Sequence, residues 1–173
     1  MEKYQRDAQR VLKLLTYILG RHPDEFGLVP DENGYVKTKD LVKALAEENG
    51  LKHIRQKYID TLFVTIPDLP IEREGHLIRS RRREKLPEQA PIPNPPPLLF
   101  TCVRRRAYPV VYKNGINGMG VPRVILATDE QMAKRIGKRY DHQAVFLTVH
   151  TKQCLARKVV FYGAGDRLFW AND

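Results

Sequence analysis

The sequence predicts an α+β protein of two lobes, and three observations carry that expectation. Apolar residues in the first half recur at three- and four-residue steps, the period of helices. After residue 98 they gather instead into short β-branched and aromatic runs, the signature of strands. A proline-rich segment, PEQAPIPNPPP at 87–97, lies where the pattern changes. The lobes are therefore expected at 1–86 and 98–173, with 87–97 as a semi-extended linker. At 173 residues, 42% of them hydrophobic, the chain can bury a core, so disorder throughout is not expected.

In the first lobe, Val11, Leu12, Leu14, Leu15, Ile18 and Leu19 give one apolar helix face. Gly20 and Pro23 end that run. Residues 31–34 (DENG) form a turn, with Asn33 and Gly34 suited to positive φ. Tyr35 and Val36 read as a short strand. Thr38 or Asp40 is positioned to cap a second helix carrying Leu41, Val42, Ala44 and Leu45. Asn49 and Gly50 stop it. A third helical run spans about Ile54 to Leu62, and residues 63–66 (FVTI) are either its tail or a strand. Helices followed by a short hairpin outline a winged-helix-like lobe.

In the second lobe, Leu98–Val103, Arg123–Leu126, Ala144–Val149 and Val159–Tyr162 are short β-rich runs. Asp129 to Gly137 has helical spacing, with Thr128 as its expected cap. This lobe is read as mostly sheet with a helix or two. Cys102 lies in an apolar run and Cys154 is placed near a strand end; two cysteines build neither a disulfide framework nor a four-cysteine zinc site. His76, His142 and His150 lack metal-ligand spacing, so no metal is expected, and His53 is expected on the surface. His76 lies three residues before Arg79.

Charge narrows the partners. Thirty Lys and Arg against twenty Asp and Glu leave a net +10, which calls for an anion. Apolar stretches are too short to cross a membrane, and the charged N-terminus is no signal peptide. The expected compartment is the cytoplasm. Between His76 and Tyr108, eight basic residues face two acidic ones, so six of the ten surplus charges lie there. Arg81, Arg82 and Arg83 precede the proline segment, and Arg104, Arg105 and Arg106 follow it. Guanidinium forks bond phosphate bidentately; the bland alternative is a solvated run of like charge. Arg21 and His22 directly follow the first helix, where the negative end of its dipole suits a cation. They either hold a phosphate and handle a proton, or close the helix end.

Four stretches resemble one family. Leu15 to Pro23 (LTYILGRHP), Glu25 to Leu28 (EFGL), Asp31 to Val36 (DENGYV) and Asp40-Leu41 keep the order of the N-terminal lobe of the NAD-dependent RNA 2′-phosphotransferases. That lobe has a Leu-Arg-His-x-Pro motif, a Gly-Leu step and an acidic turn ending Gly-Trp/Tyr-Val. Ile78-Arg79-Ser80 stands at the family's Ile-Arg-Ala, with Arg83-Glu84-Lys85 replacing its Gly-His-Ser. Gly115-Ile116, Val124 to Asp129, Ala133 and Ile136 to Arg139 follow its strand-helix-Val-Gly-x-Arg pattern. Val160-Phe161-Tyr162 resembles its Phe-Tyr near the end.

The resemblance implies an ADP-ribosyltransferase-like second lobe that binds NAD as co-substrate, without a metal. It implies that an RNA 2′-phosphate attacks the anomeric carbon of the nicotinamide ribose and expels nicotinamide. The neighbouring ribose hydroxyl then attacks phosphorus, leaving an RNA 2′-hydroxyl and ADP-ribose cyclic phosphate. Arg21 and His22 fall on the family's Arg-His pair and Arg79 on its second arginine. Its last arginine falls on Val121, with Arg123 two residues later as the substitute. Its aromatic-His-Gly-Thr element falls on Phe100-Thr101-Cys102-Val103, where the aromatic alone is kept, so Phe100 is the expected cofactor contact. Its Ser-x-Asn-Gly-Val turn falls on residues 164–168 (AGDRL). Arg81, Arg82, Arg83, Arg104, Arg105 and Arg106 are assigned to the RNA backbone, and the chain is expected to act as a monomer. Two alternatives stay open: an RNA-binding homologue without catalysis, and ADP-ribosyl transfer to another acceptor.

Overall fold

The computed structural model describes residues 2–116 and 123–172. The chain is mixed α and β, with two antiparallel sheets. It divides into two units, the first ending at Leu86 and the second beginning at Pro87.

In the first unit, α1 spans Glu2–Gly20 and buries Ala8, Val11, Leu15, Ile18 and Leu19 along one face. Full burial of a leucine such as Leu15 contributes about 1.5–3 kcal/mol. A single 3₁₀ turn, Pro23–Phe26, follows with proline at its start. The Asp31 side chain accepts from the Asn33 and Tyr35 amides at 2.9 Å each, and Gly34 closes that turn at φ +84°. Strand β1 is only Val36–Lys37, and α2 spans Thr38–Ala46. Neither Thr38 nor Asp40 caps α2, contrary to expectation. Lys37 occupies the cap position without a side-chain bond. The Thr38 amide donates to the His76 carbonyl at 2.9 Å, which draws Thr38 under the hairpin and buries it.

Helix α3 spans Gln56–Thr65, so Phe63, Val64 and Thr65 are its last turn. Strands β2 (Ile71–Glu74) and β3 (Leu77–Ser80) make the hairpin. The sheet order is β1-β3-β2. Ile71 and Ile78 join Leu15, Ile18, Leu41, Leu45, Ile59 and Leu62 in one core.

The proline segment behaves differently from a free linker. Residues 87–97 belong to the second unit. The Ile92 amide donates to the Phe161 carbonyl at 2.8 Å, the Gly163 amide to Ala90 at 3.1 Å, and Pro91 bridges Tyr162. Thr151 donates its hydroxyl to the Pro96 carbonyl at 2.6 Å. Proline lacks the N–H but keeps the carbonyl, so it can line a sheet edge.

The second sheet has the order β6-β4-β5-β8-β7, built from β4 (Leu98–Val103), β5 (Arg123–Ala127), β6 (Val145–His150), β7 (Phe161–Gly163) and β8 (Leu168–Asn172). Strand β8, which the sequence reading did not assign, pairs with both β5 and β7. Helices α4 (Tyr108–Asn114), α5 (Glu130–Lys138) and α6 (Thr151–Ala156) complete the unit. Thr128 is not the cap of α5. Its amide is used on the Arg167 carbonyl at 3.0 Å, and Asp129 caps instead, accepting from the Met132 amide at 2.7 Å. Cys154 lies within α6 rather than at a strand end. Burial pushes both the Cys102 and Cys154 thiols up. Leu99, Leu126, Phe161 and Ala171 form a core cluster here.

Candidate active site

Arg21 and His22 leave α1 together. Both backbone amides donate to the Tyr17 carbonyl at 3.0 Å, which turns the chain sharply out of the helix. Arg21 is exposed. The His22 side chain is 43% exposed, with Nδ1 3.6 Å from Asp24 Oδ1 and 3.9 Å from Glu25 Oε1. Asp24 itself is only 4% exposed. The His22 ring lies 5.5 Å from that of Tyr17, whose hydroxyl donates to Glu25 at 2.7 Å. That bond to a carboxylate raises the Tyr17 phenol above its ordinary range. The imidazole thus turns its Nδ1 side toward two carboxylates while the residue stays open to solvent.

Gly20 sets where this pair stands. A side chain there would place its Cβ 2.6 Å from the Arg82 carbonyl oxygen and 3.0 Å from the Ser80 hydroxyl. Only glycine permits that approach, and it sets Arg21 beside the segment that carries Arg79. Within β3, Ile78 and Ser80 are buried, and Arg79 alternates with them. Its side chain therefore leaves the opposite face of the sheet. There Nε donates to Glu72 at 2.8 Å, Nη1 donates to the Asn33 carbonyl at 2.9 Å, and the guanidinium lies 4.3 Å over the Tyr35 ring. The Arg79 bond, with Arg81 and Arg83 nearby, holds the Glu72 carboxyl below its ordinary value.

Sequence reasoning missed Glu72, Asp24 and Tyr35 as partners of these residues. A signal for Glu72 existed: a hairpin turning at Gly75 puts Glu72 directly opposite Arg79, as the register does.

The two arginine triplets differ in their local bonding. Arg81 donates from Nε to the Leu69 carbonyl at 2.8 Å, and Arg83 from Nη1 to the Ser80 carbonyl at 2.6 Å. Arg82 is exposed. Arg104, Arg105 and Arg106 are all exposed. The Arg105 amide donates to Asp141 at 2.8 Å, and that bond, with one from Gln143, lowers the Asp141 carboxyl.

In the second unit Arg123 opens β5. Its guanidinium lies 5.2 Å from the Trp170 ring centre and 3.3 Å from Gln89 Oε1, which also accepts from the Trp170 indole at 2.8 Å. Trp170 stacks on Tyr162 at 4.0 Å. Val121 lies outside the described residues.

At the positions expected to cradle nicotinamide, the side chains make local contacts. Phe100 stacks on Phe146 at 5.6 Å. The Thr101 hydroxyl donates to the Ile125 carbonyl at 2.9 Å. Cys102 packs against Gly137 so closely that a Cβ there would lie 2.5 Å from its own. These side chains are used in packing, and no glycine opens the strand to a ligand. Among the described residues, no group of three or more His, Cys, Asp or Glu could hold a metal, and no helix is long and apolar enough to cross a membrane.

Comparison with known proteins then places the chain. A probable RNA 2′-phosphotransferase of Thermococcus kodakarensis is 29% identical over 94% of this chain and 90% of its own length. One from Streptomyces coelicolor is 30% identical over 78% and 74%, and one from Pseudomonas syringae pv. tomato 29% over 96% and 89%. The family model described as "RNA 2′-phosphotransferase, Tpt1 / KptA family" matches residues 5–170. With that model matching residues 5–170, the chain belongs to the RNA 2′-phosphotransferase family.

Proposed function

We propose that this protein is an NAD-dependent RNA 2′-phosphotransferase that leaves a 2′-hydroxyl on RNA, as in tRNA splicing and RNA repair in the cytoplasm. The carrying observation is the family match across residues 5–170. The first unit is read as the winged-helix-like, RNA-binding lobe and the second as the ADP-ribosyltransferase-like lobe. NAD supplies the ADP-ribosyl acceptor and nicotinamide as leaving group.

Arg21, Arg79 and Arg123 are the residues proposed to hold the migrating phosphate. Fixed guanidinium groups stabilise its charge without reorganising. Arg79 is already fixed by Glu72, the Asn33 carbonyl and Tyr35. His22 is the proposed proton-transfer group, with Nδ1 facing Asp24 and the other ring nitrogen left for substrate. Arg81, Arg82, Arg83, Arg104, Arg105 and Arg106 are the proposed backbone contacts, and the protein acts as a monomer without a metal.

The test supplies an RNA oligonucleotide with one internal 2′-phosphate, with and without NAD. Dephosphorylated RNA, nicotinamide and ADP-ribose cyclic phosphate are expected only with NAD; no turnover with NAD overturns the reading. The second reading, RNA binding without transfer, is favoured by one observation: Thr101 and Cys102 are engaged in packing where the family's His-Gly would stand. It predicts salt-dependent RNA binding and no products.

A further inference from the structure

Away from Arg21, His22 and Arg79, the N-terminal half of α1 carries another basic surface. Lys3, Arg6, Asp7 and Arg10 recur at three- and four-residue steps and so share one face of the helix. With Tyr4 and His53 they line an open depression of about 770 Å³. Its charge is unbalanced. Asp7 is the one acid in the lining, and it is fully engaged: it accepts from Tyr58 at 2.5 Å, meets His53 Nε2 at 3.0 Å and pairs with Arg10 at 3.0 Å. Those bonds, that of Tyr58 foremost, hold its carboxyl below the ordinary value. Lys3 and Arg6 make no ion pair among the described residues and are exposed.

The surface also offers rings. Tyr4 is 38% exposed, with its ring 6.2 Å from that of Tyr58, and Tyr58 meets His53 edge-on at 5.5 Å. Asp7 therefore anchors the floor, while two uncommitted cations and a partly exposed aromatic face remain for a ligand. Cations tracking a backbone beside an aromatic platform are the arrangement that binds single-stranded nucleic acid. From Lys3 to Arg10 the helix axis advances about 10 Å at 1.5 Å per residue, room for more than one phosphate group. An acidic peptide would satisfy the charges but make no use of the rings.

We propose that this depression, lined by Lys3, Tyr4, Arg6, Asp7, Arg10 and His53, is a second contact for the RNA chain, remote from the phosphate being removed. The proposal rests on the reading that RNA is the substrate class. It gives a use to a basic surface that the proposed chemistry does not employ.

The test compares a 2′-phosphorylated trinucleotide with a longer RNA carrying the same phosphate. The double variant Lys3→Ala/Arg6→Ala alters two exposed helix positions and is expected to keep the fold. Binding of the longer RNA should weaken several-fold. The log–log salt slope should fall by about 1.4, at about 0.7 per lost phosphate contact on a single strand. Trinucleotide binding and turnover should stay unchanged, and Lys3→Arg/Arg6→Lys should bind like the parent. Unchanged affinity and slope for the longer RNA would overturn the proposal. So would equal weakening of both RNAs, or competition by an acidic peptide but not by unmodified RNA. If the parent turns over neither substrate, the functional reading fails, while the binding and slope measurements still decide this one.

Discussion

The two units use their polar side chains in opposite ways. In the first, Leu15, Ile18, Leu41, Leu45, Ile59, Leu62 and Ile78 share one apolar core, and the residues proposed for chemistry sit at its margins. Arg21 and His22 follow the last turn of α1, and Arg79 leaves the outer face of β3. In the second unit the strand expected to carry the ligand has been drawn into packing: Phe100 stacks on Phe146, Thr101 bonds a neighbouring strand, and Cys102 fills the space beside Gly137. A residue at an element's end can be kept for chemistry without disturbing a core. A residue inside a central strand is held by its packing neighbours as well, and changes together with them.

Four measurements test this contrast. The largest effect is expected at the margin of the first unit: His22→Ala should lower turnover of a 2′-phosphorylated RNA by roughly 10²–10⁴-fold, the usual loss of a general acid–base group. Thermal stability should stay near the parent's. An unchanged rate would remove His22 from the proposed chemistry.

Next is the core itself. Leu15→Ala should cost about 2–5 kcal/mol by cavity formation, read by denaturant unfolding. Hydrogen exchange in β5 and β8 should be less affected than that in β3. Equal loss of protection in both would abolish the contrast.

A smaller effect is expected where the second unit is tightest. Gly137→Ala places a methyl against Cys102, and overpacking of that kind costs roughly 1–3 kcal/mol. The double change Gly137→Ala/Cys102→Gly should recover much of it, measured as the unfolding midpoint. No recovery would show that Cys102 is not the neighbour that matters.

The smallest is a pH effect. Glu72 has its carboxyl lowered, first by its bond from Arg79. A lowered carboxyl adds stability that is present above its ordinary value of 4.5 and is lost as pH falls through the lower folded value. Glu72→Gln should therefore flatten the acid limb of the melting temperature below about that pH while changing little at neutrality. An acid limb identical to the parent's would show that the pair is too well solvated to matter, as exposed pairs often are.

Much of the first unit was legible because its signals are local. The helical period around Leu15 ends where Gly20 and Pro23 say it should, and the Asp31 turn closes on Gly34 as its residues dictate. The caps were less legible. Thr38 and Thr128 both have the right side chain but stand one residue off the cap: α2 begins at Thr38 itself, after Lys37, and Asp129 takes the cap of α5. The proline segment misled too. Its composition says that it is poor in donors, but not that its Ala90 and Pro96 carbonyls will be met by Gly163 and Thr151, or that its Ile92 amide will reach the Phe161 carbonyl.

The α+β class, most of the helices and strands, the surplus of ten positive charges and the family are written locally in the chain. These follow from period, turn chemistry and motif order, which neighbouring residues set. The long-range contacts decided that β8 pairs with β5, that Gly20 must approach Ser80 and Arg82, and that Thr101 and Cys102 are packing residues. Each of those is a pairing across a long stretch of chain. Register and close packing choose such pairings from many that the local signals permit equally.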